Sequence, residues 1–339
     1  MEQGTTYVGL DVSKRTIAIA VRWPGRAEPE ERSIPNEPRA IARWAKRMER
    51  EARGPIVCAY EAGPTGYALQ RQLRGFGLDC RVIAPSLIPR KPGERIKTDR
   101  RDARKLAELL AGGLLTEVHP PSPENEAVRD PSRAREDAKQ DLGRARHRLS
   151  KFLLRHALVF GRGRRAWTQA HAQWLRGLRL EHAAEQAVFD DYCLAIDQLE
   201  ERLRALEAKL AGWAKTEPYA TPVAHLRCFR GIDTVTALGL VAELHDFRRF
   251  RRARQLMAYL GMVPSEDSSG ERTWVGPELR RRREGQPAHV VAIADRAQRR
   301  LYGRRQRLTE RGKAPNKITV ALARELAGFL WAVLAVEAA

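Results

Sequence analysis

Cysteine is scarce. The 339 residues hold four, Cys58, Cys80, Cys193 and Cys228, and no two stand in a CxxC spacing. A disulfide framework and a thiolate zinc site are therefore excluded as organising devices, and a reducing compartment is the simplest reading. The eight histidines are scattered without metal-ligand spacing. No apolar run reaches the ~20 residues that a membrane-spanning helix needs. The opening MEQGTTYVGL has no basic stretch followed by an apolar one, so no secretory signal is expected. Acid is also in deficit: 42 Asp and Glu face 62 Lys and Arg, a formal charge of +20. That excess, mostly arginine, favours a polyanionic partner such as DNA or RNA.

What is present divides along the chain. TYVGLDVS and TIAIAVRW are apolar, β-rich runs joined by a short polar turn, which predicts a hairpin. A helix over 40–52, a strand at PIVCAYE, a helix over 67–75 and a strand at CRVIAP follow. The pattern predicts an α/β domain with a mixed sheet. From Glu124 the strand signals stop and long charged helices take over. Phe189, Tyr192, Ile196, Leu199, Leu203, Leu206 and Leu210 form a heptad stripe, which suits a dimeric coiled coil and a helix hairpin within one chain equally. Pro131 predicts a break in its helix. LRCFRGIDTVTALGLVAEL resembles a helix-hairpin-helix, whose glycine turn offers backbone N–H groups to phosphate. The expected domains are 1–121 (α/β), 122–215 (helical, coiled coil) and 216–339 (all-α).

Four acids stand out. Asp11 interrupts an apolar strand, where an unpartnered carboxylate is costly. Glu61 ends a second buried strand, and Asp99 and Asp102 share a helix face at i, i+3. Singly, each has an ordinary role: Asp11 capping the SKR turn, Glu61 pairing with an arginine, Asp99 as a helix N-cap. As a set on this strand order they predict a divalent-cation site, because gathered carboxylates repel unless a cation holds them. Arg95, Lys97, Arg100 and Arg101 surround the helix pair, and Arg280, Arg281, Arg282 and Arg283 form a second basic run; both are expected to meet phosphates.

YVGLDVSKRTIAIAV, YEAGPTGYALQRQL and IKTDRRDARKLAELL resemble the DEDD transposases of the insertion sequence 110 family, as do LRCFRGIDTVTALGLVAEL and LMAYLGMVPSEDSSG further on. The resemblance spans nearly the whole chain. It implies a ribonuclease H-like (RuvC-like) N-terminal domain in which Asp11, Glu61, Asp99 and Asp102 hold two Mg²⁺ ions, with Mn²⁺ as an alternative. It also implies a serine nucleophile in the SEDSSG loop. Ser269, directly before Gly270, is the first choice; Ser268 is the alternate and Ser265 a poor third. The implied partners are a structured guide (bridge) RNA, target and donor DNA, and further copies of the chain in a dimer assembling to a tetramer, with acids of one subunit facing the serine of another. The setting would be the cytoplasm of a bacterial or archaeal cell, at the nucleoid.

The expected function is that of an RNA-guided recombinase joining strands through a phosphoserine intermediate. One departure keeps others open. ERTWVGPELRRRREGQPA runs almost directly from the serine loop into the arginine-rich segment, where family members carry a basic, glycine-rich stretch. A relative that binds guide RNA and DNA without recombining is one alternative. A nuclease using Mg²⁺-activated water, which needs the acids but not Ser269, is the other.

Overall fold

The computed structural model describes residues 4–89, 98–161, 165–262 and 287–335. The chain divides into two compact units, residues 1–120 and 121–339.

The first unit is a six-stranded mixed sheet. β1 (Thr6–Val12) and β2 (Thr16–Arg22) form the hairpin, and β3 (Glu30–Pro35) extends it. β4 (Ile56–Glu61), β5 (Asp79–Ile83) and the two-residue β6 (Glu117–Val118) complete the order β3-β2-β1-β4-β5-β6. β1, β4 and β5 run parallel, and the β1–β2, β2–β3 and β5–β6 pairs are antiparallel. One face is covered by α1 (Pro38–Glu51) and α2 (Ala68–Gly75). Ile41, Trp44 and Met48 of α1 and Leu69 and Leu73 of α2 pack there on Val8, Leu10, Tyr60 and Val82. The other face carries α3 (Asp99–Ala111), whose Ala103 and Ala107 sit on Ala18 and Ala20 and whose Leu110 packs on Ala59 and Ile83. Strand alternation sorts the side chains between the two layers.

β3 reads as charged sequence, EERSIP, and no strand was expected there. Its alternating half-buried and exposed residues mark an edge strand that exists because β2 pairs with it over six residues.

The second unit is helical throughout its described residues. Its elements are α4 (Pro123–Arg155), α5 (Gln169–Gly177), α6 (Ala183–Trp213), α7 (Ala220–Arg227), α8 (Thr234–Leu244), α9 (Ala253–Tyr259), α10 (Ala288–Glu310) and α11 (Pro315–Leu334). α4 and α6 form a long antiparallel hairpin: Arg135 pairs with Glu207 (2.5 Å), and Arg146 with Glu200 (2.7 Å). The heptad stripe turns inward on this hairpin. Phe189 and Ile196 are buried with Leu142, Leu149, Phe152 and Leu153 of α4, and Tyr192, Leu199 and Leu203 flank them. Leu210 instead joins the core of α7, α8, α10 and α11, beside Leu226, Leu238 and Val290.

The expected break at Pro131 is absent. α4 is continuous through it, although an interior proline costs about 3 kcal/mol. The neighbouring turns are held from outside the helix: Arg133 makes a bidentate pair with Glu243 of α8 (2.6 and 2.8 Å), and Arg135 grips Glu207 of α6. These tertiary contacts on the turns just after Pro131 keep the helix in line.

Candidate active site

Asp11 lies near the end of β1, opposite Ala18 of β2. The turn that follows is closed by Ser13. Ser13 Oγ donates to the Thr16 carbonyl (2.8 Å) and accepts from the Thr16 N–H (3.1 Å), and Asn36 Nδ2 donates to the Ser13 carbonyl (2.7 Å).

Glu61 ends β4, the parallel neighbour of β1. The register pairs Gly9 with Ala59 and Leu10 with Tyr60, so Asp11 and Glu61 come at the carboxyl ends of adjacent strands and share a face. That face is the one α3 covers, because Ala59 packs on Leu110. The chain after Glu61 is pinned: the Ala62 N–H donates to the Ile83 carbonyl (2.8 Å), and the buried Tyr60 hydroxyl donates to the Gly66 carbonyl (2.9 Å). Burial raises the Tyr60 phenol well above its usual range and keeps it a donor.

The helix pair is set by a glycine. A Cβ built on Gly9 would lie 1.9 Å from the Ala103 carbonyl oxygen and 2.5 Å from the Ala107 nitrogen. The backbone of α3 thus rests directly on β1. Asp102 immediately precedes Ala103, and Asp99 is one turn earlier on the same helix face. Two residues beyond Gly9 on the same strand face is Asp11. The signal was present in the sequence as a glycine inside an apolar strand, a common mark of close backbone approach. Sequence reasoning passed over it.

The helix cap is Thr98, whose hydroxyl accepts from the Arg101 N–H (3.4 Å). Asp99 is the first helical residue and not the cap, and it and Asp102 give α3 an acidic first turn, favourable at the positive end of the helix dipole. Asp11 and Asp102 are half-buried, while Glu61 and Asp99 are exposed. The four carboxylates share one side of the sheet without closing on a single coordination sphere. Among the described residues, no three His, Cys, Asp or Glu side chains stand close enough to hold a metal ion.

Of the cations around this site, Arg100 and Arg101 are exposed on the first turn of α3. Arg104 is committed to structure, pairing with Glu108 of its own helix (3.2 Å) and with Glu28. Arg95, Lys97, Ser265, Ser268, Ser269 and Arg280 to Arg283 lie outside the described residues.

A family model for DEDD transposases of the IS110 type matches residues 8–157, and a second, described as transposase IS116/IS110/IS902 family, matches residues 223–302. The chain belongs to the IS110 family of transposases. It is 36% identical to the transposase for insertion sequence element IS1533 of Leptospira borgpetersenii, covering 91% of this chain and 97% of that protein. It is 37% identical to the "Putative transposase y4qE" of Sinorhizobium fredii, over 96% of this chain and 88% of that protein. The transposase for insertion sequence element IS1111A of Coxiella burnetii is more distant, at 24% over 78% of this chain and 73% of that protein. The match to y4qE runs over 364 residues, longer than the 339 of this chain. That relative therefore carries residues with no counterpart here. The protein is thus an insertion-sequence transposase, an enzyme that breaks and joins DNA, and among its described residues no helix is long and apolar enough to cross a membrane.

Proposed function

We propose that this transposase is an RNA-guided DNA recombinase with two chemical centres, a carboxylate set and a serine. The observation that carries the first is the shared face of β1, β4 and α3: Asp11 and Glu61 end adjacent parallel strands, and Gly9 lets the helix bearing Asp99 and Asp102 rest on β1. A three-strand antiparallel ribbon continuing into parallel strands supports a ribonuclease H-like assignment for this unit. The donor set is all oxygen and suits a hard divalent cation such as Mg²⁺ or Mn²⁺. Asp11, Glu61, Asp99 and Asp102 are the residues that would hold it; when bound, it would polarise the scissile phosphodiester and stabilise charge on the departing oxygen.

Ser269 is the proposed nucleophile. Its hydroxyl oxygen attacks phosphorus, the hydroxyl proton passes to a base or solvent, and the P–O bond to the leaving strand breaks to give a free DNA hydroxyl. One phosphodiester replaces another, so a DNA hydroxyl can later reverse the step without ATP. Guide RNA sets the sequence by pairing, and the protein holds the backbone with its +20 charge. Dimers assembling to tetramers in the cytoplasm complete the reading.

A denaturing-gel assay for protein–DNA adducts tests this. Protein, Mg²⁺, flanking RNA and matching DNA would be combined for wild type, Ser269→Ala and Asp11→Ala. An adduct in wild type that is lost in both variants is expected. Strand breaks that persist in Ser269→Ala without any adduct would instead show a nuclease using activated water. Intact RNA and DNA binding with neither breaks nor adduct would show a binding-only relative.

A further inference from the structure

The helical unit contains a cleft of about 620 Å³ where the α7–α8 turn meets α10 and α11. Its volume falls within the range of about 300–1,000 Å³ usual for small-ligand sites. Two alanines of α10, Ala294 and Ala297, each 1% exposed, are too small to fill it. The floor is apolar, made by Phe229 before the turn and by Leu322 and Leu326 of α11. Tyr302 is half-buried in the wall, and Arg230 and Arg305 stand exposed at the rim.

The absence of acid in its lining sets this cleft apart from two others. The one beside Trp23 in the first unit is lined by Glu30 and Glu51 together with Arg26, Arg47 and Arg53, and the one beside Trp167 by Asp190 and Asp197 together with Arg176 and Arg179. Here the lining holds two arginines and no carboxylate. The nearby acids have other duties. Glu325 takes Arg304 (2.9 Å) and Arg300, and Asp233 caps α8 by accepting from the Thr236 N–H (2.7 Å). Beside Arg230 the turn passes through Gly231 at φ +88°, a conformation strained for any side chain, so the rim stays low there.

A slot with two aromatic side chains, Phe229 and Tyr302, one buried amide, Gln298, and cations only at its mouth suits a planar ring on a phosphate chain. We propose that the cleft takes one unpaired nucleotide of the bound nucleic acid. The base enters beside Tyr302 over the Phe229 and Leu322 floor, and Arg230 and Arg305 hold the flanking phosphates. The inference rests on the reading that this unit meets nucleic acid, and it adds what form of nucleic acid it prefers.

The test uses the full-length protein and a 30-base-pair duplex carrying a single unpaired 2-aminopurine, beside its fully paired counterpart, each made as DNA and as RNA. The expected result is binding about tenfold tighter to the bulged duplex, with the 2-aminopurine fluorescence quenched by stacking. A preference in DNA alone or in RNA alone assigns the source of the nucleotide. Leu322→Trp, which fills the floor, should abolish the preference and the quench while leaving paired-duplex affinity unchanged. Tyr302→Leu should weaken both effects, and it decides the matter if Leu322→Trp does not fold by circular dichroism. Equal affinity for the bulged and paired duplexes in wild type would overturn the proposal and leave general nucleic-acid binding standing. So would a preference that survives Leu322→Trp. Failure to bind any duplex would overturn both readings.

Discussion

Gly9 of β1 and Ala103 of α3 meet backbone to backbone: a methyl group on Gly9 would fall 1.9 Å from the Ala103 carbonyl oxygen. The neighbours of the contact are backbone atoms and cannot rotate away. Gly9→Ala should push α3 off the sheet and cost about 1–3 kcal/mol, the usual range for overpacking. Urea unfolding would read this as a lower midpoint at unchanged slope. Transposition should fall further than the stability loss explains, because Asp102 moves with the helix. An unchanged midpoint with full activity would show that α3 does not rely on this contact.

Asp11 and Glu61 end neighbouring parallel strands on one face, where one divalent cation would be held by both. Asp11→Asn removes one of those two charges. Millimolar Mg²⁺ should raise the wild-type melting temperature by mass action, and the variant should lose that rise. An equal rise in both would remove Asp11 from the metal-holding set.

Arg100 and Arg101 are exposed on the first turn of α3, while Arg104 is held by Glu108 and Glu28. Replacing Arg100 and Arg101 together with Gln should weaken DNA binding and reduce the slope of log affinity against log salt by about 1–2. Arg104→Gln should leave that slope alone. A slope unchanged in the double variant would show that this turn does not touch phosphate.

His171 is 5% exposed, ringed by Phe160, Trp167 and Trp174 at centroid distances of 5.0, 4.9 and 5.5 Å. Burial, and then the charge of Arg146, hold its pKa below the ordinary imidazole value. The folded chain therefore takes up this proton less readily than the unfolded chain. Its contribution to stability is complete above the ordinary imidazole range and is lost as the pH falls through it. Unfolding midpoints should drop between pH 7.5 and 5, and His171→Phe should flatten that dependence. An identical pH dependence in both proteins would assign it to other groups.

Burial also shapes the thiols: Cys58 and Cys80 face each other on β4 and β5, and Cys80 is pushed up to about 12. Burial favours the protonated form of both thiols.

Local pattern alone determined much of the fold. Alternating apolar residues marked β1 and β2, apolar runs marked β4 and β5, and the acidic spacing of Asp99 and Asp102 marked the start of α3. The basic excess indicated a polyanionic partner. These properties repeat over two to four residues and need no distant part of the chain. Tertiary structure decided the rest. β3 is a strand because β2 offers it an edge. α4 stays straight at Pro131 because Glu243 and Glu207 hold the turns after it. The heptad stripe permitted two partners, and packing in the chain chose α4. The common face of Asp11 and Glu61 follows from a parallel register between residues some fifty positions apart, and the approach of Asp102 follows from one missing side chain at Gly9. Each is a pairing of segments distant in sequence, whose energy exists only once both are in place.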